Sequence, residues 1–95
     1  MPEAPAGTSA AGGAVVVNPL GIHARPSHAI VLAAQDFAAR IELEHEGRRA
    51  DARSILSVMT LGVPCGGRVT VRAQGPDAER AVAAILEILA RAEPR

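Results

Sequence analysis

The sequence predicts an α+β layer fold in the order β-α-β-β-α-β-α. Three observations carry that expectation. Residues 41–46 and 69–73 alternate apolar and polar, the period of strands with one wet face. Two segments with apolar groups at helical spacing each follow a glycine break and a proline, at Gly21 to Pro26 and at Gly75-Pro76. No long crossover helix separates every pair of strands, so the sheet is expected to be antiparallel or mixed, with helices covering one face.

The elements follow in order. Met1–Gly13 is rich in Pro, Ala, Gly and Ser and has no side chain large enough to anchor a core. It reads as a disordered leader (residues 1–13), which leaves residues 14–95 for the folded domain. Val15-Val16-Val17 reads as the first strand and Asn18-Pro19 as its exit. Pro26 suits a first helical turn, and Ile30, Val31, Ala34 and Phe37 give the following helix its apolar stripe. Ile41–Glu46 is the second strand, Gly47 the hairpin turn and Arg48–Ala52 the third strand. Ser54 is a good N-cap for a short helix over Ile55–Leu61, because its hydroxyl can accept from an orphan N–H. Val69–Ala73 is the fourth strand. The last helix opens at Pro76, with Asp77 and Glu79 in its first turn and Ala78, Val82, Ile85, Leu86 and Leu89 as its buried stripe.

Composition narrows the chemistry. The 95 residues carry ten basic and ten acidic groups, for no formal net charge. That argues against a non-specific nucleic-acid binder and against a polybasic membrane-surface protein. Phe37 is the one aromatic residue, so base-stacking platforms and aromatic cages are excluded. One Cys makes no internal disulfide and no Cys-rich zinc site. Every basic residue is Arg, so no lysine chemistry is available. No apolar run is long enough to span a membrane, and the N-terminus lacks the basic and apolar regions of a signal peptide. Those features point to the cytoplasm.

What remains is His, Arg, Ser and helix N-termini. His23 and Arg25 sit between a glycine break and a proline-started helix. A helix N-terminus offers unpaired N–H groups and positive potential, which favour a neutral, nucleophilic imidazole and hold a phosphoryl group. On spacing alone, His-x-Arg also fits an exposed loop histidine with an incidental neighbour. Five of the seven residues in Ile55–Leu61 are apolar, more than a two-turn helix can turn toward one core. Part of that surface is expected to be exposed as a docking patch, the alternative being a fully buried helix. Ser54 reads as a cap, or as a phosphorylatable residue whose added charge would alter the patch. His28 is a poor metal partner for His23, Cys65 has no adjacent base, and His45 is expected to face water. Glu42, Glu44 and Glu46 read as a solvated stripe that Arg48, Arg49 and Arg53 could neutralise.

Two segments also resemble known signatures. Gly21-Ile22-His23-Ala24-Arg25-Pro26-Ser27 is similar to the active-centre signature of HPr, the histidine-containing phosphocarrier family of the phosphoenolpyruvate-dependent phosphotransferase system. Arg53–Gly62 resembles that family's second signature, around a regulatory serine. The spacing of the two signatures matches as well, and the likeness runs from about Val15 to Ala90.

The resemblance implies an open-faced β-sandwich, with four antiparallel strands and three helices on one face. It implies phosphorylation of His23 on Nδ1 by enzyme I and transfer to the A domain of a permease or to a regulatory target. Arg25 would balance phosphate charge. Ala24, Ile55, Leu56 and Met59 would supply the partner surface. Ser54 would be the site of an HPr kinase/phosphorylase, and a regulatory module acting through Ser54 without sugar transport is the alternative. No cofactor, metal, nucleic acid or membrane is implied, and the chain is expected to be a monomer, a carrier rather than a stand-alone enzyme. Ser27, where many members have Ala, His28, Arg53 in place of the common Lys and the long leader are the departures.

Overall fold

The computed structural model describes residues 9–91. The strands are β1 (Ser9–Val15), β2 (Arg40–His45), β3 (Arg48–Asp51) and β4 (Arg68–Gln74). The helices are α1 (Ala24–Ala34), α2 (Ile55–Thr60) and α3 (Ala78–Leu89). The chain order is the one read from the sequence. The strands form one sheet in the order β1-β4-β2-β3, and every pairing is antiparallel. The three helices cover one face.

Register explains which side chains meet the helices. In β2, Ile41 and Leu43 are fully buried, and they lie opposite Ala73 and Val71 of β4. Glu42 and Glu44 point to the open face. His45 has the parity of Ile41 and Leu43, so it turns inward too. It is 6% exposed, and its Nδ1 is 2.8 Å from the Arg68 carbonyl oxygen. The expectation that His45 faces water is therefore corrected.

The expected neutralisation of the Glu stripe is corrected for Arg48 and Arg53. Glu44 pairs with Arg72 of β4 at 3.1 Å. Arg48 reaches the Leu61 carbonyl at 2.8 Å, Arg53 reaches the Phe37 carbonyl, and only Arg49 lies opposite Glu44. Glu46 leaves the stripe for the hairpin turn, where it and Gly47 both have positive φ.

The first strand begins five residues inside the expected leader. Ser9 pairs with Gln74 and Val15 with Arg68, whereas Val16 and Val17 lie beyond the strand. Ala-Gly-Gly-Ala carries little strand propensity, and packing decides instead. A Cβ on Gly12 would lie 2.8 Å from Leu86 Cδ1, so the small residues let α3 lie close over β1. The remaining expected leader, residues 1–8, lies outside the described residues.

The helix boundaries also moved. α1 ends at Ala34, and Phe37 packs against the core from beyond it. Asp77 is the N-cap of α3 at φ 67 rather than a first-turn residue. α3 buries the expected stripe together with Ala81 and Ile88, and Leu86 is half-buried. Among the described residues, no helix is long and apolar enough to cross a membrane.

Candidate functional site

The site is built from the loop between β1 and α1. Past β1, Val16 exchanges backbone hydrogen bonds with Gly66 and Gly67 at 2.7 and 2.9 Å. Asn18 is buried and turns the chain. Its Oδ1 accepts from Leu20 N and its carbonyl from Gly21 N, both at 2.9 Å. Gly21 has φ 71, and Ile22 N then donates to Val63 O at 2.9 Å. This bond ties the loop to the segment that follows α2. Ile22 is 5% exposed and anchors the loop in the core.

His23 is the N-cap of α1, in extended conformation. Its carbonyl accepts from Ser27 N at 3.0 Å, and its Nδ1 accepts from Arg25 N at a long 3.5 Å. The two edges of the ring differ. Nε2 is occluded from solvent and has no partner among the described residues, while the bond at Nδ1 is solvent-exposed. A neutral ring that accepts at Nδ1 carries its proton on Nε2. The reachable nitrogen is thus the one with a lone pair, and it lies beside the orphan N–H groups of a helix start.

Ala24 and Arg25 are exposed on the first turn of α1. Arg25 lines a small cleft with Asn18, Pro26, Ala29, Ile88 and Arg91. The two charged groups of that lining are both guanidinium groups, so the potential there favours an anion. The sequence reading missed Asn18 and Arg91 as neighbours of the site. The Asn-Pro pair was a local signal for the turn, but no pattern linked Arg91 to residues so distant in the chain.

α2 packs against α1 and carries the second feature. Ser54 is its N-cap, and Ser54 Oγ accepts from Ser57 N at 3.2 Å. Val58 and Leu61 enter the core. Ile55, Leu56 and Met59 stay in water, with Leu56 73% exposed. The apolar excess of this helix is therefore exposed in part, as expected, rather than fully buried. His28 is exposed on α1, and Cys65 is exposed in its loop.

Fold and site together define a small α+β domain that presents one reachable imidazole nitrogen at the N-terminus of α1, with α2, whose apolar face is bare, packed against that helix. A family model described as "PTS HPr component phosphorylation site" matches residues 12–91. The phosphocarrier protein HPr of Cupriavidus necator is 37% identical over 75 residues, covering 79% of this chain and 84% of that protein. The crystal structure of HPr from Bacillus anthracis superposes with a TM-score of 0.81 at 31% identity, covering 85% of this chain and 96% of that one. Crh, the Bacillus subtilis catabolite repression HPr, superposes with a TM-score of 0.63 at 32% identity, covering 84% and 95%. The chain belongs to the HPr family of the phosphotransferase system.

Proposed function

We propose that this HPr-family phosphocarrier takes its phosphoryl group on Nδ1 of His23 from phosphorylated enzyme I and passes it to a permease A domain or a regulatory target. The observation that carries this reading is the asymmetry of the His23 ring, with Nδ1 reachable and Nε2 occluded. The Nδ1 lone pair attacks phosphorus as the donor's bond to phosphorus breaks. The Arg25 N–H, held only weakly by Nδ1 at 3.5 Å, is free to turn to a phosphoryl oxygen. The Arg25 guanidinium and the helix N-terminus offset the added negative charge. Positioning and charge balance are the chain's part of the catalysis, and the partner supplies the rest.

A carrier must serve a donor and an acceptor in turn, so its reacting group stays accessible. Ala24, Ile55, Leu56 and Met59 form the apolar surface on which both dock. Each association buries Leu56, which supplies up to about 1.5–3 kcal/mol. The shared work with such partners places the chain in the cytoplasm. Incubation with phosphoenolpyruvate and a cognate enzyme I tests the reading. Acid-labile phosphate is expected on the wild-type chain and not on His23→Ala; equal labelling of the variant would refute it.

A second reading gives Ser54 a regulatory role under an HPr kinase/phosphorylase. The name of Crh couples this fold to catabolite repression. Ser54 also borders Ile55 and Leu56, so a phosphate there would place charge at the edge of the docking patch. Labelling by the kinase should vanish in Ser54→Ala, and phosphorylation of the wild type should weaken partner binding. If phosphorylated wild type binds partners unchanged, the switch is excluded.

A further inference from the structure

Two buried polar side-chain atoms lack hydrogen-bond partners among the described residues, His23 Nε2 and Ser27 Oγ. A buried polar group left unpaired is costly, and two of them at a reacting group call for an explanation. They belong to side chains one helical turn apart. Ser27 N donates to His23 O at 3.0 Å, which fixes the backbone between them. Ser27 is 0% exposed. In a helix the Cα–Cβ bond tilts toward the N-terminus, so the Ser27 side chain leans over the turn that His23 begins.

The two groups are chemically complementary. With Nδ1 accepting from Arg25 N, the neutral ring presents Nε2 as an N–H donor. A serine oxygen has two lone pairs to accept it. Its own proton can go to the carbonyl four residues back, that of His23. Both atoms stand unpaired in the structure, and side-chain rotation would have to close the contact.

We propose that Ser27 is a positioning residue, whose hydroxyl accepts the Nε2–H of His23 and holds the ring in the tautomer that leaves the Nδ1 lone pair bare. This rests on the reading of His23 as the phosphoryl acceptor. When Nδ1 bonds to phosphorus and the donor's bond breaks, Nε2 keeps its proton and the ring becomes an imidazolium. Ser27 stabilises that N–H. Onward transfer then releases a neutral imidazole rather than an imidazolate, a far better leaving group.

The test is ¹⁵N NMR of the His23 ring, at a pH where it is neutral, in wild type, Ser27→Ala and Ser27→Thr. The wild-type ring should be mainly Nε2–H. Its ratio of Nε2–H to Nδ1–H should fall about fivefold in Ser27→Ala, the effect of one net hydrogen bond. Ser27→Thr keeps the hydroxyl and should keep the ratio. Onward transfer from phosphorylated Ser27→Ala should slow by a similar factor. A wild-type ring that is mainly Nδ1–H, or an unchanged ratio in Ser27→Ala, overturns the proposal. The tautomer ratio needs no phosphate, so failure of His23 to be phosphorylated would strike the functional reading separately.

Discussion

Gly21 lies against the backbone of Val63. A Cβ on Gly21 would stand 2.3 Å from Val63 O, the same atom that accepts from Ile22 N at 2.9 Å. The residue two before His23 is therefore glycine for two reasons, close approach and φ 71. Gly21→Ala should cost about 2–4 kcal/mol, from a left-handed backbone plus forced displacement of the Val63 segment. Denaturant unfolding measures the loss. Phosphorylation of His23 should slow in the variant even where it remains folded, because the loop that aims the ring has moved.

Arg25 is exposed at the start of α1 and has no ion pair among the described residues. Arg25→Ala should leave stability within about 0.5 kcal/mol. It should slow phosphoryl transfer to His23 by roughly 10- to 100-fold, since one charged stabiliser of the transferring group is lost. Rapid-quench kinetics with enzyme I measures the rate, and thermal unfolding supplies the control.

Leu56 is 73% exposed, while its neighbour Val58 is fully buried. Leu56→Ala should barely change stability yet weaken partner binding about tenfold, as expected for a side chain buried only in the complex. Val58→Ala should do the reverse and cost about 1–3 kcal/mol of folding stability through a core cavity. Titration calorimetry and denaturant unfolding separate the two effects.

Ser54→Ala removes the hydroxyl that accepts from Ser57 N, and α2 has only six residues to share the loss. A cost of about 1 kcal/mol is expected. Ser54→Asp keeps an acceptor at the cap and should recover most of it. Urea midpoints of the two variants decide between capping and an unrelated cause.

Deleting residues 1–13 removes Ser9–Gly13 and with them most of β1. Most of the β1 ladder on β4 goes, and with it the surface at Gly12 on which α3 lies. The shortened chain should lose several kcal/mol or fail to fold, whereas a leader with no structural part would be removed without effect. Circular dichroism with thermal melting distinguishes these outcomes.

What could be read in the sequence follows the strength of the local signals. The alternation at Ile41 and Leu43 located β2 and its buried face. The same parity already pointed His45 inward, and the flanking Glu residues masked it. β1 carried no propensity signal before Val15, because the close approach of α3 to Gly12 replaces side-chain bulk with proximity. The cluster of His23 at the N-cap with Arg25 and Pro26 in the first turn was legible because helix starts have local chemistry. The pairing of Glu44 with Arg72, the reach of Arg48 to Leu61 and the nearness of Arg91 to Arg25 join distant parts of the chain. They depend on register and packing, which periodicity does not encode. The apolar excess of α2 was legible as a surplus, and only packing showed that Val58 and Leu61 go in while Leu56 stays out.

The central claim is that Nδ1 of His23 carries the phosphoryl group. ³¹P and ¹⁵N NMR of the chain phosphorylated by enzyme I tests it most directly. A phosphorus–nitrogen coupling at His23 Nδ1, with Nε2 unmodified, is the result the geometry predicts. Phosphate on Nε2, on His28, or on no histidine at all would contradict it.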